Sequence, residues 1–415
     1  MLPREARRAA FLQSRAPMSL KRATLTLLAG SALAQAVPLL LGPWIARLYT
    51  PGEYGQFSLV WTVASNLAVV GCARYEFALA LEKGEQGAAT LLALCLRMLL
   101  AMTAMAAIVG AAWMFWADLG LAAALPAIVL AASASQAMAQ WAARAGHVMA
   151  LTAGRLVQWG GGAAAQVGFG LLQTGPWGLI GGATLATAAA AVLQARPAPA
   201  GGWRGLLAAR PLRDMAAKHR DFPLLNTPHA FAGALQDTLA IALLTAWSGA
   251  HDAGAWALAL RYLKAPASLV GGSLSQLLYP RLTQAASPAE GRALVRRSLW
   301  RLAALALPLM LGLLALGPWL FERVFGPDWR SAGELARSLA PYVALHFIAS
   351  PLSVVLMAWG AQGWGLKLAL VGQVMFVGGL AAGLHLGGLA GAGWGVSAAM
   401  LLYFGYFFWA LWTWE

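Results

Sequence analysis

Two cations three residues apart are the clearest candidates for chemistry in this chain. Arg261 and Lys264 lie inside the apolar run from Gly254 to Pro280, which is long enough to cross a bilayer. A cation near the centre of a spanning helix costs roughly 3 kcal/mol even on the lenient insertion scale. At this spacing the two side chains share one helical face. The least costly arrangement points that face into a watery cavity, and the chemistry on offer there is the binding of something anionic. Arginine brings a planar fork to such a ligand and lysine a point charge. Arg97 sits about ten residues inside its own apolar span, too deep to snorkel easily, and is expected in the same cavity. Arg74 and Arg155 lie at the ends of their spans, where the competing role is interfacial snorkelling. Asp237 falls midway along a neighbouring span, at a depth similar to that of Lys264. It is either a structural ion-pair partner or a protonatable counter-ion that couples movement to a proton gradient.

Other reactive side chains carry less. Cys72 and Cys95 have no metal-like spacing and read as small buried residues. His346 and His385 have no partners at ligand spacing and read as packed or interfacial, and Glu76 as solvated. Neither a metal nor a cofactor is expected. A membrane-embedded enzyme needs carboxylates or histidines converging at one membrane face, usually with a large loop, and the longest outer connection, near 322–334, is short.

These residues must be positioned by membrane helices. Of 415 residues, 60% are hydrophobic and 11% charged, which excludes a soluble domain. Apolar stretches recur about twelve times at spanning length, with no connection long enough for a sizeable soluble domain. The fold class expected is all-α and polytopic, in two six-helix bundles. The divisions are a basic tail over 1–23, an N-terminal bundle over 24–194, a linker over 195–223 and a C-terminal bundle over 224–415. An early resemblance to a secretory signal, ending Ala32-Leu33-Ala34, is rejected because the apolar run continues to Ile45.

The net charge of +14 reports topology. With the N-terminus placed in the cytoplasm, only Arg47, Arg323, Arg330 and Arg337 fall outside and Arg97, Arg261 and Lys264 within the membrane; the other 22 of the 29 Lys and Arg lie on the cytoplasmic side. That asymmetry fits the positive-inside rule with both termini cytoplasmic. No aromatic-interleaved basic patch points to nucleic acid. Within the linker, Leu206 to Arg220 reads as a basic amphipathic helix on the inner leaflet.

The halves repeat one another. Glu53-Tyr54-Gly55-Gln56-Phe57-Ser58-Leu59 matches Asp252-Ala253-Gly254-Ala255-Trp256-Ala257-Leu258 as acid, any, Gly, any, aromatic, any, Leu. Both open the second helix of their half, and Trp177-Gly178 and Trp394-Gly395 open the last. Six helices per half give both copies the same orientation, so a pseudo-twofold axis along the membrane normal is expected, with a site between the halves. Phe325-Gly326-Pro327-Asp328-Trp329-Arg330 reads as an outer turn with an interfacial tryptophan.

The stretches Pro43 through Gly55, Arg74-Tyr75-Glu76-Phe77-Ala78-Leu79-Ala80, Phe222-Pro223 with Pro228, Gly254 through Pro266, Ser273 through Leu282 and Phe325 through Trp329 carry a resemblance. The chain resembles the Wzx-type oligosaccharide-lipid flippases of the multidrug/oligosaccharidyl-lipid/polysaccharide exporter superfamily. The resemblance implies two six-helix bundles forming a V that opens alternately to each side. The implied cargo is a polyprenyl-diphosphate-linked glycan, moved from the inner to the outer leaflet of a bacterial plasma membrane. Membrane lipids and glycan polymerase or assembly proteins are the partners it suggests. The alternative within the superfamily is a drug or small-molecule efflux antiporter, whose cationic cargo calls for intramembrane carboxylates where this chain places mainly bases.

Overall fold

The computed structural model describes residues 20–117, 119–208, 212–285 and 287–414. The basic tail lies outside the described residues as far as residue 19. The N-terminal half comprises α1 (Leu20–Leu48), α2 (Pro51–Val69), α3 (Glu85–Ala117), α4 (Leu125–Arg144), α5 (148–171) and α6 (Pro176–Gln194). The C-terminal half comprises α7 (Thr227–Ser248), α8 (Ala250–Thr283), α9 (Pro288–Phe325), α10 (330–358, in three segments), α11 (362–386) and α12 (389–413). The last two are joined at Gly387 and Gly388, where the backbone leaves helical geometry. This is an all-α polytopic membrane fold in two bundles of six. Seven described segments are long and apolar enough to cross a membrane by length and composition. Pro51–Val69 and Ala250–Thr283 are not among them, and both turn polar side chains toward the space between the halves.

Local sequence sets the ends of these helices. Thr50 caps α2 through its side chain, Pro51 takes the first helical position, and Glu53 returns a carboxylate to the Thr50 amide at 2.8 Å. This capping box, with Pro at the first position, supplies partners to otherwise orphaned donors. The acid in the repeated heptad therefore serves the helix terminus rather than the cargo.

The halves meet through α2 and α8, with α7 also against α2. At the N-terminal ends of α2 and α8 the approach is backbone on backbone. A Cβ on Gly55 would overlap the carbonyl of Ala250, and one on Gly254 the carbonyl of Pro51. Only glycine permits such proximity. Trp329 closes the same end. It is buried, 1% exposed, and its indole N–H donates to the Ala46 carbonyl at 2.6 Å in the last turn of α1. Its ring meets Tyr54 edge-on at 5.7 Å. The interfacial position expected for this tryptophan is thus corrected: the Gly326 turn carries it inward, because a helix C-terminus of the other half offers an unpaired carbonyl. Arg47 donates in return to the Arg323 carbonyl at 3.0 Å, in the last turn of α9.

The linker is held to the N-terminal half. The described parts of 206–220 are helical over Gly202–Ala208 and Leu212–Lys218. The second packs on the N-terminal bundle. Lys218 and His219 both bond the Glu82 carboxylate, His219 at 2.7 Å. The Tyr75 hydroxyl donates to the Ala216 carbonyl at 3.3 Å. The Lys218 and His219 bonds hold the Glu82 carboxyl below the usual carboxylate range.

Candidate functional site

Between the halves lies a hollow of about 840 Å³. It starts at the closed end beside Tyr54 and Trp256 and extends along α8 to Leu269. Helices α1, α2, α5 and α6 form one wall, α7 and α8 the other.

Arg261 lies where α8 passes Pro38 of α1. Its guanidinium donates to the Tyr54 hydroxyl at 3.0 Å and to the Pro38 carbonyl at 3.4 Å. Both acceptors belong to the other half, so this cation fastens the closed end as well as lining the hollow. Tyr262 beside it answers a defect made by sequence. Pro43 has no N–H, so the carbonyl of Leu39, four residues earlier, loses its helical donor. The Tyr262 hydroxyl supplies one at 2.9 Å. Gly42 leaves the room, since a Cβ there would overlap that hydroxyl.

One turn deeper, Lys264 pairs with Asp237 of α7 at 3.2 Å. The lysine side chain is 31% exposed and the carboxylate 60%, so the pair sits in the open hollow and is not sealed. Arg155, from α5, lines the opposite wall. The structure therefore brings Arg155, Arg261, Lys264 and Asp237 together around one space.

It does not bring Arg74 and Arg97 there, and the expectation that they share the cavity is corrected. Arg74 follows α2 in a left-handed turn, with φ of 48° at Ala73 and 62° at Arg74. Its guanidinium lies 4.4 Å above the Phe77 ring and 4.0 Å from the Glu76 carboxylate. The turn points it into its own bundle. Glu76, expected to be solvated, is buried at 1% exposure, and its Oε2 has no protein partner. Burial pushes this carboxyl up to about 7, against the lowering pull of its own backbone amide and Arg74. Arg97 is half-buried on α3, which packs on α4 and the turn after α2, remote from α8. The buried face of α3 carries Leu91, Leu92, Cys95 and Leu99, and Arg97 falls off that face. His346 stacks on Tyr342 with ring centroids 5.7 Å apart, and His385 is exposed near the α11–α12 turn. No group of three or more His, Cys, Asp or Glu able to hold a metal occurs among the described residues.

Charge alone missed the neutral lining. Gln35, Trp61, Gln158 and Trp159 face the hollow from the N-terminal half. The available signal was an amide in the middle of an apolar span. Gln166, also in the lining, is structural: its side-chain amide donates to the Leu179 carbonyl at 3.0 Å, and its backbone carbonyl accepts from Tyr49 at 2.8 Å.

No curated protein matches the chain in sequence. Solved structures do match in fold. A multidrug resistance MATE family transporter of the MOP superfamily, inward-facing, superposes with a TM-score of 0.67 at 12% identity, covering 91% of this chain and 97% of that one. Lipid II flippase MurJ in an inward closed conformation gives 0.64 at 10% identity, over 93% and 87%. An outward-facing MATE family transporter gives 0.54 at 15% identity, over 94% and 96%. At these identities the likeness is one of fold. The profile of the family described as polysaccharide biosynthesis protein matches residues 44–334 and so takes in α2 through α9, with Arg155, Asp237, Arg261 and Lys264. On that match, and with the fold of the MOP-superfamily transporters, the chain belongs to the polysaccharide biosynthesis protein family.

Proposed function

We propose that the protein moves a polyprenyl-diphosphate-linked oligosaccharide, a unit of O-antigen, capsule or exopolysaccharide, from the cytoplasmic to the outer leaflet of a bacterial plasma membrane. The observation that carries this reading is the hollow between the halves, where Arg155, Arg261 and Lys264 face a single acid, Asp237, among the described lining. A diphosphate cannot cross hydrocarbon unaided. Charge-assisted hydrogen bonds contribute about 1.5–3 kcal/mol each, so two or three offset much of its desolvation. The polyprenyl tail stays in lipid throughout.

The excess of Lys and Arg at the Arg74, Arg144 and linker end supports the reading that this end is cytoplasmic, with both termini on that side. The Gly55–Gly254 end is then the outer one, and the hollow is shut toward the outside. The higher TM-score with the inward-facing transporter than with the outward-facing one agrees. Alternating access is then a rocking of the halves that parts this contact as the cytoplasmic end closes. When the outer end parts, Arg261 loses Tyr54 and the Pro38 carbonyl as acceptors. A bound diphosphate supplies replacement acceptors, which lowers the cost of opening in the loaded state. Lys264 exchanges Asp237 for the cargo and returns to it on release. Membrane lipids surround the carrier, and glycan polymerase or assembly proteins are its expected neighbours.

The competing reading, efflux of cationic drugs, is disfavoured by three lining cations against one acid. The two are separated in liposomes holding the purified protein and a lipid-linked oligosaccharide, with a lectin added outside. Protein-dependent exposure of the glycan, lost in Lys264→Ala, is the expected result. Movement of a cationic dye with no movement of the diphosphate lipid overturns the reading.

A further inference from the structure

The two walls of the hollow differ in chemistry. Apart from Arg155, the charged lining residues belong to α7 and α8. The facing wall offers amides and indoles: Gln35 from α1, Trp61 from α2, and Gln158 and Trp159 from α5. The α5 pair lies in a π-helical stretch, Leu156–Gly161, inserted between α-helical segments. Such insertions widen one turn and are frequent at functional sites. Gly160, Gly161 and Gly162 follow directly. Trp159 is 52% exposed, a large apolar ring that lines the hollow instead of a core. The Gln158 side chain has no hydrogen bond to a described residue. Packing explains neither side chain.

Saccharides match this wall. A pyranose has an apolar C–H face that lies on an indole and a rim of hydroxyls that both donate and accept. An amide is the neutral side chain able to answer both kinds of hydroxyl contact, and an aromatic ring adds large contact area at small entropic cost. Arg155 is one helical turn from Trp159 on the same face. A diphosphate held at Arg155 therefore sets the sugar attached to it against the tryptophan. We propose that Gln158 and Trp159, with Gln35 and Trp61 on the same wall, form a saccharide subsite that recognises the sugar next to the diphosphate. The subsite sets which glycans are accepted. This rests on the proposed function and assigns its specificity to the N-terminal wall.

The test uses the full chain in liposomes with two probes, a polyprenyl diphosphate bearing no sugar and the same lipid bearing one N-acetylated hexosamine. Wild type and Trp159→Ala, Trp159→Phe and Gln158→Ala are compared after confirming equal thermal stability in detergent. Trp159→Ala is expected to slow the sugar-bearing lipid by about five- to ten-fold, the scale of an aromatic contact. The sugar-free lipid should move at the wild-type rate, and Trp159→Phe should recover most of the loss. An equal fall for both lipids, or no fall for either, overturns the subsite while leaving the diphosphate grip in place. If wild type moves neither lipid, both the subsite and the function it rests on are overturned.

Discussion

Gly55 and Gly254 stand against each other's backbone where the second helices of the two halves meet. The position a Cβ would take on either one lies 2.9 Å from the other's amide nitrogen. The contact is reciprocal, as a twofold-related contact must be. It joins the very glycines that the repeated heptad places in register. A gate made of paired backbones has no side chain that can rotate away, so it is either shut or separated as a unit.

Gly55→Leu is therefore expected to hold the outer end apart. Overpacking costs about 1–3 kcal/mol, which moves a closed–open equilibrium by about five- to 150-fold. Labelling of a cysteine placed at Ser58 by an impermeant maleimide from outside should rise, and transport should fall. Unchanged labelling would show that this contact is not the gate.

Tyr262→Phe removes the donor to the Leu39 carbonyl and leaves it unsatisfied, at a cost of about 1–3 kcal/mol. Pro43→Ala restores an N–H four residues on from Leu39, so the same change should cost much less in that background. A double-mutant cycle from unfolding in detergent reads the coupling. Equal costs in both backgrounds would separate the tyrosine from the proline.

Asp237 competes with an incoming anion for Lys264, to which it is bonded at 3.2 Å. The pair is partly exposed and worth about 1 kcal/mol at most. Asp237→Asn is expected to tighten binding of a polyprenyl diphosphate by up to about five-fold and to slow turnover by delaying release. Lys264→Ala should weaken binding. Weaker binding by Asp237→Asn would mean the carboxylate is needed only to position the lysine.

Glu76 lies in the turn after α2, outside the spanning helices, with its carboxyl raised by burial to about 7 from 4.5. Between these values the folded protein holds a proton that the unfolded chain has released. Stability contributed by this group is therefore present below about pH 4.5 and lost as pH rises toward 7, by roughly 3 kcal/mol in all. Glu76→Gln, uncharged throughout, should flatten the stability profile over that window. A slope unaltered by the substitution would count against the buried carboxyl as its source.

Much of the architecture follows from the sequence because hydrocarbon admits few solutions. Apolar runs of spanning length dictate helices, and the matched heptads Glu53–Leu59 and Asp252–Leu258 dictate two related halves. The cost of burying Arg261 and Lys264 on one helical face dictates a hollow for them to face. Helical periodicity, however, gives a side chain's depth and direction on its own helix and says nothing of which neighbour stands there. That depends on how the helices are arranged around one another. Arg97 had the depth for the cavity but stands on a helix at the bundle's edge, and Arg74 is turned away by two left-handed residues. Trp329 found the Ala46 carbonyl, and Tyr262 the one freed by Pro43, across hundreds of residues. Only packing could decide that Gln158 and Trp159 share a hollow with Arg261 and Lys264, because no local rule relates two walls carried on separate bundles.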